Sequence, residues 1–209
     1  MKYFDVIQGE EPWFKLRNGV PTASRFDMIL TPKEGKPSTQ QEKLINQLVG
    51  ERLSLIPPEG VENYTNRAMR WGAQCEAEAR AYFCFKTSLE VYNGGFCLDD
   101  SGRYGASPDA LVGTETATTG ALELKAPQAE TQVEYLRNGG LPPAYRWQCQ
   151  GHLLVTGLPV CWFLSYSPGL PPLLIRVERG PDTEKLAVAL NEFWDRFMEA
   201  FEKVKGSAG

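Results

Sequence analysis

Histidine is nearly absent, with His152 the only one among 209 residues. That excludes chemistry needing two imidazoles: two-histidine nuclease sites, zinc hydrolases and histidine-based phosphotransfer. His152 itself is expected as a helix-face or core histidine. The five cysteines, at positions 75, 84, 97, 149 and 161, are odd in number and never spaced Cys-x-x-Cys. Neither a disulfide framework nor a zinc or iron–sulfur clamp is indicated, and they are expected as small buried hydrophobes. No apolar run approaches the ~20 residues that span a bilayer, and the start has no basic segment leading into an apolar one. A cytoplasmic protein without membrane association is expected. Internal repeats and low-complexity runs are lacking. An excess of basic charge is lacking too, since 22 Lys and Arg stand against 26 Asp and Glu, for a net charge of −4. Overall charge therefore does not favour a polyanion, and any such partner must be held by the local field of a groove.

What is present describes an ordinary folded chain, with 42% hydrophobic and 23% charged residues. Its length suits one α/β domain over residues 1–209, with a flexible tail at 203–209. Helices are predicted at Glu11–Arg17, from Thr22–Ser24 onward, and after Ser38, whose spacing to Gln41 suggests a capping box. A long alanine-rich helix is predicted over about 63–85, with others near 129–137, near 143–155 and after Pro181. The last carries Leu186, Leu190, Phe193, Phe197 and Phe201 on one stripe. Strands are predicted near 89–96, 104–112, 121–125, 160–166 and 173–178. This order implies an α/β fold with a central mixed sheet flanked by helices.

The chemistry concentrates in Ser107-Pro108-Asp109 and in Gly120-Ala121-Leu122-Glu123-Leu124-Lys125. Side chains alternate along a strand, so Glu123 and Lys125 project together while Leu122 and Leu124 enter a core on the other face. Asp109 lies fourteen residues before Glu123, enough for a strand, a polar turn and a return strand. Two carboxylates brought together repel unless a divalent cation lies between them, and oxygen ligands favour magnesium or manganese. An isolated Glu-x-Lys strand is more often the solvated face of a sheet, and a Pro-Asp pair more often a turn.

Three further clusters bear on the hairpin. Glu76 lies in Trp71-Gly72-Ala73-Gln74-Cys75-Glu76, although Glu78 is an equally plausible surface carboxylate. Gln148 lies in Ala144-Tyr145-Arg146-Trp147-Gln148-Cys149-Gln150 and offers both donor and acceptor. In the segment from Trp13 to Ser24, Thr22 and Ser24 either cap the next helix or join Arg17 around a phosphate.

The four blocks, Trp-x-Lys-Leu-Arg-x-Gly-Val-x-Thr-Ala-Ser, Trp-Gly-x-Gln-x-Glu, Ser-Pro-Asp with Gly-x-Leu-Glu-Leu-Lys, and Ala-Tyr-x-x-Gln-x-Gln with Val-Thr downstream, run in order from Trp13 to about Thr156. In this they resemble the lambda-exonuclease group, the YqaJ-type viral recombinases of the PD-(D/E)XK nuclease superfamily. The resemblance implies a restriction-endonuclease-like core and a processive, magnesium-dependent exonuclease that digests the 5′-ended strand of duplex DNA and leaves a 3′ overhang. It implies two Mg2+ ions, with Mn2+ an alternative, held by Glu76, Asp109, Glu123 and the Leu124 carbonyl. Lys125 would then activate water and Gln148 line the site. Arg17, Ser24 and Ser107 would hold a 5′-phosphate, and Met69 would wedge apart the terminal base pair. The implied partners are duplex DNA ends, two further copies in a ring-shaped homotrimer, and a single-strand annealing protein, in a bacterial host with a phage or prophage. The alternatives are another endonuclease of the superfamily or a catalytically silent DNA-binding accessory. Against the family pattern, the turn Gly113–Gly120 reads as long, and the loop Lys33–Lys36 fits no motif.

Overall fold

A computed structural model describes residues 1–54 and 67–207, with the side chains of 67–74 outside that description. The chain opens with β1 (Lys2–Phe4), α1 (Glu11–Arg17), a 3-10 turn (Ala23–Met28), α2 (Gln41–Leu53) and α3 (Arg67–Thr87). Strands β2 (Val91–Asn93), β3 (Phe96–Leu98), β4 (Gly105–Ala106), β5 (Ala110–Thr114) and β6 (Ala117–Lys125) follow. After them come α4 (Ala129–Asn138), α5 (Arg146–Thr156), β7 (Val160–Ser165), β8 (Leu173–Glu178) and α6 (Pro181–Gly206).

Five strands form a mixed sheet in the order β2-β5-β6-β7-β8, parallel only between β6 and β7. β7 reads Val-Cys-Trp-Phe-Leu-Ser and is almost wholly buried, as suits a strand covered on both faces. Parallel neighbours cannot be joined by a tight turn, so the chain crosses from β6 to β7 through α4 and α5. On one face Ala79 and Phe83 of α3 pack on Ala110, Val112, Leu122 and Leu124. On the other, Cys149 and Leu153 of α5 pack on Leu111, Ala121, Cys161 and Phe163. A third core joins α2, the 3-10 turn and α6 around Trp147, with Leu186, Leu190, Phe193 and Phe197 along the predicted stripe. Four of the five cysteines are buried and Cys84 is half-buried, all as free thiols.

The predicted strands at 89–96 and 104–112 each divide in two, and their parts belong to different sheets. β1, β3 and β4 form a separate three-stranded antiparallel sheet, while β2 and β5 join the large one. The breaks fall at Gly94-Gly95, where Gly95 takes the left-handed φ of 55°, and at Ser107-Pro108. The turn expected over Gly113–Gly120 is not long. β5 and β6 stay paired to Thr114 and Ala117, leaving a two-residue loop and a register shift between Val112 and Gly113. The shift takes up the additional residue, so the polar threonines belong to a hairpin.

Other boundaries moved as well. Ser38 makes no helix cap; its hydroxyl accepts the Gln40 N–H at 3.2 Å, and buried Gln41 donates to Ile29 O at 2.7 Å. The expected tail is helical through Gly206, while residues 208–209 lie outside the described residues. The predicted start of the long helix at 63–66 also lies outside them. No helix among the described residues is long and apolar enough to cross a membrane.

Candidate active site

Strand alternation places Glu123 on the face of the sheet that α5 covers, and its side chain is 1% exposed. A carboxylate taken so far from water needs donors. Oε1 accepts from Gln148 Nε2 at 2.7 Å and from Lys125 Nζ, while Oε2 bonds to His152 Nε2 at 2.7 Å. Gln148 and His152 are four residues apart on α5, so one helix face supplies both. Burial alone would push the Glu123 carboxyl up; the Lys125 ammonium and the bond from His152 outweigh it and hold the group below its ordinary range. Lys125 in turn is held above its ordinary range, because Glu123 and Asp109 outweigh its burial. The Lys125 ammonium also lies 5.2 Å from the Tyr145 ring centroid, and that ring stacks on Phe163 at 5.1 Å.

Asp109 is the residue just before β5. Pairing of Ala110 with Leu122 would set Leu124 opposite Pro108, beyond the strand's end. The Asp109 carboxylate takes the missing position and accepts the Leu124 N–H at 2.6 Å. Within a ladder a residue's N–H and C=O point the same way, so the Leu124 carbonyl also faces this side. Burial first, and the Glu123 charge second, push the Asp109 carboxyl up to about 8. Asp109 therefore keeps its proton to higher pH than a free carboxyl, and the two carboxylates titrate as a pair.

Glu76 approaches from α3 on the opposite face. Its Oε1 accepts from Arg80 Nε at 3.1 Å and Nη2 at 2.7 Å, and Arg80 Nη2 also donates to the Asp109 carbonyl. Arg80 therefore links the third carboxylate to the strand end. Among the described residues no three of Asp, Glu, His and Cys are drawn close enough for one ion. The donor set nonetheless fits a hard divalent cation. Asp109, Glu123 and the Leu124 carbonyl offer only oxygen, and a cation there would offset both the lost solvation and the Glu123 repulsion that lift Asp109.

The second cluster forms around the Arg17 guanidinium. Nη1 donates to Ser107 Oγ at 3.1 Å, and Nη2 to Thr22 Oγ1 at 3.2 Å and Ser24 Oγ at 3.1 Å. Trp13 Nε1 donates to the same Ser107 hydroxyl at 2.9 Å, with the Arg17 guanidinium 4.2 Å from the Trp13 ring centroid. Thr22 stands at the start of the 3-10 turn, but its hydroxyl makes no capping bond; it and the Ser24 hydroxyl face the cation. Glu51, the carboxylate whose field reaches Arg17, is bonded to Arg25 and the Gly19 N–H. Burial, with some repulsion from Arg25, lowers the Arg17 pKa to about 10. A dehydrated cation ringed by hydroxyls and, among the described residues, paired with no carboxylate is a ready anion site.

The structure thus groups Asp109, Glu123, Leu124, Lys125 and Gln148 at one strand end, with Glu76 bound beside them through Arg80. It groups Arg17, Ser24 and Ser107 separately. Met69 lies in the first turn of α3, among the residues whose side chains are outside the description. The loop 31–36 closes on itself through the Thr31 N–H to Lys36 O, and Arg146 donates to Lys33 O. Sequence reasoning missed Trp13, Arg80, Tyr145 and the partner of His152. Three carried a spacing signal: Trp13 and Arg80 lie four residues from Arg17 and Glu76, and His152 four from Gln148, while Tyr145 carried none.

Residues 12–159 match the YqaJ-like viral recombinase domain. No curated protein matches the chain at a significant level. The fold is similar to the crystal structure of an alkaline exonuclease, LHK-Exo, from Laribacter hongkongensis, at 30% identity and a TM-score of 0.79 over 95% of this chain and 98% of that one. LHK-Exo in complex with dAMP matches over the same shares at 30% identity and a TM-score of 0.80. A phage-related exonuclease from Haemophilus somnus 129PT shares the fold alone, at 10% identity and a TM-score of 0.58 over 90% of this chain and 98% of that one. The chain belongs to the YqaJ-like viral recombinase family, as an alkaline-exonuclease-like nuclease with the mixed-sheet core of the PD-(D/E)XK phage exonucleases.

Proposed function

We propose that the chain is a magnesium-dependent, processive exonuclease that enters duplex DNA at an end and digests the 5′-ended strand to 5′-mononucleotides. It leaves a 3′ single-stranded overhang for recombination by strand annealing. The observation that carries this reading is the tripeptide Ser107-Pro108-Asp109, whose first residue belongs to the anion cluster and whose last belongs to the carboxylate cluster. Two residues of extended chain span at most about 7 Å. A strand whose terminal phosphate rests on Arg17, Ser24 and Ser107 therefore has its next phosphodiester near Asp109, which suits release of one nucleotide per cut. Each cut regenerates a 5′-phosphate, the group the clamp holds, and this favours processivity.

Asp109, Glu123 and the Leu124 carbonyl, with Glu76 once released by Arg80, would hold two Mg2+ ions, or Mn2+ in their place. Bound there, the ions supply Lewis acidity toward the attacking water and the leaving oxygen. Lys125, whose ammonium donates to Glu123 Oε1, would activate or orient the attacking water and meet the developing charge. Gln148 and His152 fix the Glu123 carboxylate from α5. Met69 would part the terminal base pair. A ring-shaped trimer would keep DNA threaded between cuts, with a single-strand annealing protein as the partner that receives the overhang, in the cytoplasm of a bacterial host.

The test compares 5′-phosphorylated linear duplex, 5′-hydroxyl duplex and closed circular DNA in Mg2+. Rapid loss of the first, slow loss of the second and persistence of the third are expected, with 5′-mononucleotides released. Cutting of circular DNA would establish an endonuclease instead. A folded wild type that leaves all three intact would establish a silent accessory.

A further inference from the structure

The ring of His152 occupies a place that an apolar residue would fill at lower cost. It is 1% exposed, on a helix that packs against the sheet, and its Nδ1 has no hydrogen-bond partner among the described residues. A buried, unpaired polar atom costs free energy that a leucine or phenylalanine would avoid. What the histidine contributes in return is one bond, from Nε2 to Glu123 Oε2 at 2.7 Å. A carboxylate can only accept, so Nε2 is the donor. The other two donors, Gln148 and Lys125, both act on Oε1. With Oε1 alone held, the carboxylate can still turn about its terminal torsion, which is broad for such a group. A donor on Oε2 removes that freedom.

We propose that His152 is a positioning residue that fixes the plane of the Glu123 carboxylate for cation ligation. This rests on the reading of Glu123 as a metal ligand. The ring touches neither substrate nor cation; it acts through Glu123, as the hydrogen-bonding partners of metal ligands generally do. The backbone keeps it in place, since α5 is buried along its length and Thr156 Oγ1 donates to the His152 carbonyl at 2.6 Å. The same helix carries Gln148, so a single rigid element holds both carboxylate oxygens.

Three substitutions separate positioning from packing. His152→Leu keeps volume and removes the donor, His152→Asn retains an amide that falls short of Glu123, and His152→Gln places an N–H at about the original reach. On the full chain, Mn2+ binding is measured by calorimetry without DNA, alongside kcat and KM on 5′-phosphorylated duplex and the melting temperature. Leu and Asn should each lower Mn2+ affinity and kcat by about 10- to 100-fold. KM for DNA ends should stay near wild type, and Gln should recover most of both losses. Wild-type Mn2+ affinity and kcat in folded Asn and Leu variants would overturn the proposal. So would a folded Gln variant as impaired as Asn, because only the shape of the ring would then matter. If Leu does not fold, the contrast between Asn and Gln carries the test. A wild type that neither binds Mn2+ nor cuts would instead remove the reading of Glu123 on which this rests.

Discussion

Arg17→Met tests the phosphate clamp most directly, because methionine keeps a flexible apolar stem against Trp13 and removes only the charge and its donors. In the native chain the guanidinium bonds to neutral hydroxyls at 3.1 to 3.2 Å and lies over Trp13. Its pKa falls from 12.5 to about 10, so the charged form has lost solvation that the protein does not restore. At about 1.4 kcal/mol per unit, the deficit is roughly 3 kcal/mol, an upper bound because the half-buried side chain keeps some solvent screening. An anion that restores the lost solvation recovers part of this. Charge-assisted hydrogen bonds independently suggest about 1.5–3 kcal/mol. Both routes give about 2–3 kcal/mol, or about 30- to 150-fold in a rate or binding constant. The expected outcome is a loss of that size in the preference for 5′-phosphate over 5′-hydroxyl ends, read as the ratio of kcat/KM on two labelled duplexes. Activity on 5′-hydroxyl ends should change little. The melting temperature should also change little, since removing a poorly solvated cation offsets the lost contact with Trp13. An unchanged ratio, or an equal fall on both ends, would refute the clamp.

Lys125→Ala should reduce cleavage by about 10²- to 10⁴-fold while duplex binding, followed by fluorescence anisotropy, stays near wild type; unchanged turnover would take Lys125 out of the reaction. Asp109, with its carboxyl raised to about 8 in the folded chain, binds a proton there that the unfolded chain has already lost above about pH 4. Its stabilising contribution is therefore complete below pH 4 and disappears as pH rises through 8. In chelator, the wild-type melting temperature should fall between pH 6 and 9 more steeply than that of Asp109→Asn, and equal slopes would contradict this. Gly94→Ala sets a Cβ into the Pro108 carbonyl oxygen, and backbone cannot yield as a side chain does. A loss of about 3 kcal/mol in urea unfolding is expected, with slower single-turnover cleavage in the folded fraction; wild-type behaviour in both would show that the 107–109 segment tolerates displacement.

The sheet was legible where one residue pattern served one environment. β8 begins and ends where the sequence predicted, and the stripe of α6 is the buried one, because its apolar residues answer to a single neighbouring layer. The 89–112 region was not legible in the same way. Its apolar residues satisfy a strand pattern equally well in either of two sheets, and the division at Gly94-Gly95 and Pro108 is decided by tertiary pairing. The polar 113–120 segment misled for another reason: its glycines and scarcity of apolar residues read as a turn, yet its β-branched threonines extend a hairpin on its exposed end. For the site, sequence indicated the carboxylates, the lysine and the glutamine but not what each would touch. His152 shows why. A lone histidine carries no metal-ligand spacing, and its meaning appears only when α5 is laid across β6.

The two clusters act as one site only if the strand end between them holds still. A misplacement of about 1 Å at a reacting centre can cost 100-fold in rate. Ser107 is held by Trp13 and Arg17, and the Pro108 carbonyl accepts from Gln8 Nε2 at 2.8 Å with Gly94 seated against it. Asp109 is held through its carboxylate by Leu124 and through its carbonyl by Arg80. The residues doing this come from the 8–17 segment, the β2–β3 turn, β6 and α3, regions far apart in the chain. Proline removes one backbone torsion and one donor from the middle of the tripeptide, so the remaining freedom is small. The break that removes Ser107-Pro108 from regular sheet is therefore what joins end recognition to cleavage. A continuous strand through these residues would have turned successive side chains to opposite faces and bound their backbone in a ladder, leaving no carbonyl at Asp109 for Arg80 and no open edge at Leu124 for a cation.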